Sequence, residues 1–224
     1  ICRAGCRVKH INVKQGSPEW LAARAGIPTA SELDNLISTT GKIRTGEMPR
    51  KYVALKLAEA WNGGPLQSFS GGVMEQGTIL EGEALPWFEL RAGVDVSRPG
   101  FITTDDGMFG ASPDGLLPDG SGLEIKCPQP TNHVAWLLAG DVPDEHRLQC
   151  HGGMYVTDAE RWTFVSYCRG FPALVCELRR DEAVIEMIRD ALDNFRVCFN
   201  DGWRRIVAAN GGEKAKPTHD EHPF

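Results

Sequence analysis

The chain has 224 residues, 42% hydrophobic and 24% charged, with a formal net charge of −6. That length and composition predict one domain with an ample buried core and exclude wholesale disorder. No apolar run approaches the roughly 20 residues that cross a bilayer, and no signal peptide is visible.

The charge is unevenly spread. Residues 1–60 carry 10 Lys/Arg against 5 Asp/Glu, and residues 61–224 carry 14 against 25. Such an asymmetry permits a basic wall facing an acidic site. The 7 cysteines are odd in number and contain no CxxC pair, the pattern of a reduced, cytoplasmic protein with core thiols.

The first fifteen residues are basic and lack periodicity. Ser17 then reads as an N-cap with Pro18 in the first helical position, starting a helix that carries Trp20, Leu21 and Arg24 and stops at Pro28. Thr29 to Glu32 offers a second start, with Leu33, Leu36 and Ile37 as its apolar stripe. Ser38 to Gly46 reads as a mobile basic loop. Amphipathic helices are predicted from Pro49 to Trp61, with Leu57 off the stripe, and from Val73 to Ala92, bent near Pro86. Val94 to Val96 and Phe101 to Thr103 read as short strands. Beyond Pro128, helices are predicted over His133–Ala139 and Asp144 to about Val156, then a strand pair over Arg161–Cys168 and Ala173–Leu178. Asp181 caps a long final helix to about Ala209. The domain is placed at 1–210, with 211–224 as a disordered tail. The order of elements predicts an α/β fold with a mixed central sheet flanked by helices.

The stretch that carries chemistry is GASPDGLLPDGSGLEIKCP, from Gly110 to Pro128. Its Gly and Pro-Asp-Gly punctuation predicts a hairpin. Leu123 to Cys127 alternates, which puts Leu123, Ile125 and Cys127 on one face of a half-buried strand and Glu124 and Lys126 on the other. The turn delivers Asp114 opposite them. Two carboxylates beside one cation suit a hard divalent metal that must also hold a phosphate. An isolated Glu-x-Lys strand is usually an ordinary surface hairpin. Preceded by SPDG with its Asp ten residues upstream, it becomes the PD…(D/E)xK pattern of metal-dependent nucleases.

On four pieces the chain resembles the lambda-exonuclease, or YqaJ-type viral recombinase, family of the PD-(D/E)xK nucleases. They are EWLAARAGIPTASE (19–32), EQGTILEGEA (75–84), ASPDGLLPDGSGLEIKCP (111–128) and RLQCHGGMYVT (147–157). The resemblance implies that fold, with N-terminal helices and a long C-terminal helix. It implies Asp114, Glu124 and Glu81 as metal carboxylates, with the Ile125 backbone carbonyl completing part of one metal's shell. Lys126 would orient or deprotonate the attacking water, and either role is open. Gln149, paired with Tyr155 in a QxxxxxY motif, would help position the nucleophile. Arg24 and Ser31 would bind a 5′-terminal phosphate; an isolated Arg24 reads as a solvated helix-face residue.

The resemblance further implies two Mg²⁺ ions, with Mn²⁺ able to substitute. It implies 5′→3′ exonuclease action on double-stranded DNA ends, releasing 5′-mononucleotides and leaving 3′ single-stranded tails for recombination by strand annealing. The partners implied are a toroidal homotrimer and a single-strand annealing protein, in the cytoplasm of a bacterial host of a phage or prophage. An endonuclease of the same superfamily and a catalytically weak DNA-end binding module are the alternatives. His146, Cys150 and His151 invite a zinc assignment, but no second ligand pair lies nearby at zinc spacing.

Overall fold

Residues 8–66 and 72–212 are described in a computed structural model, with backbone alone for 72–79 and 81. Strand β1 (Lys9–Ile11) leads to helix α1 (Pro18–Arg24), a 3-10 helix (Ala30–Asn35), α2 (Glu47–Asn62) and α3 (Gly72–Ala92). Short strands β2 (Phe101–Thr103), β3 (Gly110–Ala111) and β4 (Gly115–Leu116) precede β5 (Gly122–Lys126). Helices α4 (Pro130–Ala139) and α5 (Asp144–Thr157), strands β6 (Arg161–Ser166) and β7 (Leu174–Arg179), and α6 (Glu182–Ala209) complete the chain.

The strands form two groups, β1-β2-β3 and β4-β5-β6-β7. Pairing is antiparallel except between β5 and β6, where Glu124 lies opposite Phe164 in a parallel register. A parallel neighbour requires a crossover, which α4 and α5 supply. The mixed α/β architecture predicted from element order is therefore present.

Strand β5 departs from expectation in being covered on both faces. Leu123 and Ile125 pack with Ala84, Leu85 and Phe88 of α3, and Glu124 is 4% exposed, met by a side chain of α5. A strand buried on both faces must find a partner for any charge it carries.

Local signals at the helix ends hold up well. Ser17 Oγ accepts from Trp20 N at 3.2 Å, and Asp181 Oδ1 accepts from Ala183 N at 2.9 Å. Along α6, Ile188, Leu192, Phe195 and Phe199 are buried at helical spacing, and Val184 is partly buried. Leu57, read as off the stripe, is buried too, because Gly202 of α6 leaves room for its side chain at 2.5 Å from an ideal Cβ.

Two expectations fail. Val94–Val96 is not a strand: the Val94 and Val96 amides are taken by the Glu89 carbonyl and carboxylate at the end of α3. The segment 38–46 is held rather than loose, by an Ile37–Ile43 bridge, Ser38 N to Lys42 O at 2.8 Å and Arg44 N to Leu36 O at 2.7 Å. Of the expected tail, residues 213–224 lie outside the described residues.

Candidate active site

Asp114 immediately precedes β4, so hairpin pairing sets it beside Glu124. Its backbone N–H donates to Leu123 O at 3.1 Å, and its Oδ2 accepts from Ile125 N at 2.6 Å. Glu124 projects to the α5 side, where its Oε1 is 2.5 Å from Lys126 Nζ and accepts from Gln149 Nε2 at 2.6 Å. Among the described residues Glu124 Oε2 accepts no hydrogen bond.

The electrostatics follow from burial. Desolvation alone would depress the Lys126 ammonium, but the Glu124 and Asp114 carboxylates outweigh it and hold the group above the ordinary lysine range. Cys150, fully buried beside this centre, has its thiol pushed up by desolvation and then by Glu124, which leaves it an inert packing group. His146, between Trp136 and Phe164, is pushed down to about 4 by burial and by the charge of Lys126.

A cavity of about 290 Å³ opens against Asp114 and Ile125 and is also lined by Gly82 of α3. Glu81 is the preceding residue on that helix; its side chain lies outside the described residues. Lys14 and Arg98 line the same cavity and bring positive charge to it, a contribution that sequence reading missed because nothing in the local pattern marks either residue.

The fit to a hard divalent metal rests on donor chemistry. A buried glutamate, a neighbouring aspartate and a strand carbonyl are hard oxygen donors, the set that Mg²⁺ accepts alongside water and substrate oxygens. Among the described residues no group of three or more His, Cys, Asp and Glu is placed to hold a metal, so the set would be completed by Glu81 or by substrate, and the His146/Cys150/His151 group makes no zinc site.

Arg24 and Ser31 come together, with companions. Arg24 Nη2 donates to Ser31 Oγ at 3.3 Å and to Thr29 Oγ1 at 3.2 Å, and Nη1 donates to Ser112 Oγ at 3.2 Å. Trp20 stacks under the guanidinium at 4.2 Å and donates from Nε1 to the same Ser112 Oγ at 2.8 Å. Burial lowers the Arg24 pKa from its usual value, opposed chiefly by the charge of Glu32 and also by that of Glu59. Ser112 was missed in the sequence, being 88 residues from Arg24, yet it lies only two residues before Asp114.

Local packing fixes this loop. Gly26 has φ +78°, and a Cβ there would sit 2.9 Å from Ala60 Cβ of α2, so the chain can turn this close to α2 only as glycine. On the other side a Cβ at Gly152 of α5 would meet Ala30 Cβ at 2.8 Å. The tyrosine of the QxxxxxY motif does not join Gln149: Tyr155 packs edge-on to Phe109 at 5.7 Å and lines another cavity with Asp106 and Arg196.

A mixed sheet with Asp114 just before β4 and Glu124 and Lys126 on the adjoining β5, with helices on either side, defines a PD-(D/E)xK nuclease-like protein. The family model for the YqaJ-like viral recombinase domain matches residues 19–160, and the chain belongs to that family. A crystal structure of LHK-Exo in complex with dAMP is similar over 87% of this chain and 98% of that chain, with TM-score 0.78 and 28% identity. An alkaline exonuclease (LHK-Exo) from Laribacter hongkongensis matches over 87% and 98% at TM-score 0.76 and 26% identity. A phage-related exonuclease from Haemophilus somnus shares the fold at TM-score 0.55 and 15% identity, over 88% of this chain and 97% of that one. No curated protein sequence matches. Among the described residues no helix is long and apolar enough to cross a membrane.

Proposed function

We propose that this chain is a Mg²⁺-dependent 5′→3′ exonuclease acting on double-stranded DNA ends, releasing 5′-mononucleotides and leaving 3′ single-stranded tails. The observation that carries it is the junction of two sites on one short segment: Ser112 contacts Arg24, and Asp114 stands beside Glu124 and Lys126. The similar LHK-Exo is an alkaline exonuclease, and its complex holds dAMP, the kind of product this reaction releases.

Asp114, Glu124, the Ile125 carbonyl and Glu81 would hold the metal. Two Mg²⁺ ions held there would lower the pKa of a bound water and offset negative charge on the phosphate. Gln149 holds the Glu124 carboxylate in one orientation, as hydrogen-bonded partners of metal ligands do. Lys126 orients the water and offsets negative charge gathering on the phosphate. Water attacks phosphorus, the P–O3′ bond breaks, and the terminal nucleotide leaves with a 3′-hydroxyl. The scissile phosphate remains on the next nucleotide as a new 5′-phosphate.

Arg24 presents a planar fork to that phosphate, with Ser31 and Ser112 hydroxyls at its edges. Each turnover regenerates the group the pocket recognises. The same reading includes a toroidal homotrimer, which would link enzyme and DNA topologically, a single-strand annealing partner, and a bacterial cytoplasmic setting.

The deciding experiment compares linear duplexes bearing 5′-phosphate or 5′-hydroxyl with closed circles, in Mg²⁺ and in EDTA. Mononucleotide release from 5′-phosphate ends, in Mg²⁺ only, is the expected result. Cutting of closed circles would replace this reading with an endonuclease.

A further inference from the structure

Helix α2 buries an ammonium. Lys56 is 3% exposed and its Nζ lies 3.1 Å from Glu32 Oε2 and 3.2 Å from Glu59 Oε2. Nothing in the proposed chemistry uses it, and burying a charge this deeply is costly unless it answers another charge.

Both carboxylates that it answers are tied to the Arg24 loop. Glu59 Oε2 accepts from Gly26 N at 3.0 Å, and Glu32 Oε2 accepts from Thr29 Oγ1 at 2.8 Å. Thr29 in turn accepts from Arg24 Nη2. Glu32 is thus one hydroxyl away from the guanidinium. Yet among the described residues Arg24 donates only to the hydroxyls of Thr29, Ser31 and Ser112.

An arginine facing a carboxylate this near forms a bidentate pair when nothing else claims the acid. Here Glu32 is claimed by Lys56 Nζ and by the Tyr52 hydroxyl at 3.1 Å, as well as by the Thr29 hydroxyl. We propose that Lys56 is a positioning residue for end recognition: by neutralising Glu32 it keeps that carboxylate from capturing Arg24, and so leaves the guanidinium open to an incoming phosphate. The inference rests on the reading of Arg24 as the 5′-phosphate ligand. The arrangement is an electrostatic balance of two acids against Lys56 and Arg24, in which loss of one cation hands the other to Glu32.

The test uses Lys56→Met and the double variant Lys56→Met/Glu32→Gln, with the initial-rate ratio for 5′-phosphate over 5′-hydroxyl duplexes as readout. Lys56→Met is expected to lower that ratio roughly tenfold, because the freed Glu32 competes with the phosphate. The double variant, lacking both the guard and the competitor, should return to within about threefold of the parent. A merely structural Lys56 would leave the double variant as impaired as the single. That result, or an unchanged ratio in a folded Lys56→Met, overturns the inference. Should Lys56→Met fail to fold, the double variant alone decides: a parental ratio supports the inference and a lost one overturns it. If the parent itself shows no preference for 5′-phosphate, the reading of Arg24 has failed rather than the role of Lys56.

Discussion

Gln149 of helix α5 donates to the carboxylate of Glu124 on strand β5 at 2.6 Å, on the same oxygen that Lys126 approaches. Two donors on that oxygen hold the buried carboxylate in place, which under the proposed reading orients it for the metal. Gln149→Ala should therefore slow the chemical step by about 10- to 100-fold, the usual cost of removing a group that orients a metal ligand. Single-turnover rates at saturating DNA report it, with end affinity little changed; a loss confined to affinity would place Gln149 in the DNA contact instead.

Asp114→Asn keeps the side-chain shape while removing one charge from the proposed metal set. Cleavage is expected to fall by on the order of 10³-fold or more, with duplex-end binding retained. Mg²⁺ should raise the parent's melting temperature, because a ligand bound only to the folded state stabilises it. That rise should vanish in Asp114→Asn and in EDTA. A Mg²⁺-dependent shift that survives the substitution would remove Asp114 from the site.

Arg24→Ala leaves Ser31 and Ser112 without a cation. The preference for 5′-phosphate over 5′-hydroxyl ends should drop by about 10- to 100-fold, as expected for a charge-assisted bidentate contact. Arg24→Lys should recover only part of it, since an ammonium lacks the planar fork. End-labelled duplexes in competition measure both.

His146 carries a pH signature of its own. Its folded-state pKa is pushed from 6.5 down to about 4, by burial between rings and then by Lys126. The unfolded chain therefore binds the extra proton first as pH falls. The stability tied to neutral His146 is present above pH 6.5 and is lost as pH falls through about 4. His146→Phe, which keeps an aromatic against Phe164, should flatten this part of the denaturant-midpoint profile; an unchanged slope would refute the assignment.

The residues of the carboxylate motif were legible because they are local. Alternation over Leu123–Lys126 and Gly/Pro punctuation place Asp114 and Glu124 without reference to the rest of the chain. What the alternation could not show is that β5 is enclosed on both faces, since its second cover, α5, arrives through a parallel crossover. Ser112 was invisible for the same reason: its partnership with Trp20 and Arg24 spans about ninety residues of sequence. Nothing in the local pattern marks Lys56 and Glu59 for burial; Glu32 and the turn at Gly26 draw them inward. Val94–Val96 had the residue types of a strand but lost its amides to the end of α3. Long-range partners, not local propensity, decide each of these.

Ser112 and Asp114 are separated by a single residue, Pro113, which joins β3 to β4. Two residues of chain reach at most about 7 Å. Under the proposed reading, one end of that span meets the terminal phosphate and the other the bond to be cut. So short a span keeps the two contacts close together, and the length of strand taken at each bite then follows from the fold rather than from the bases it carries.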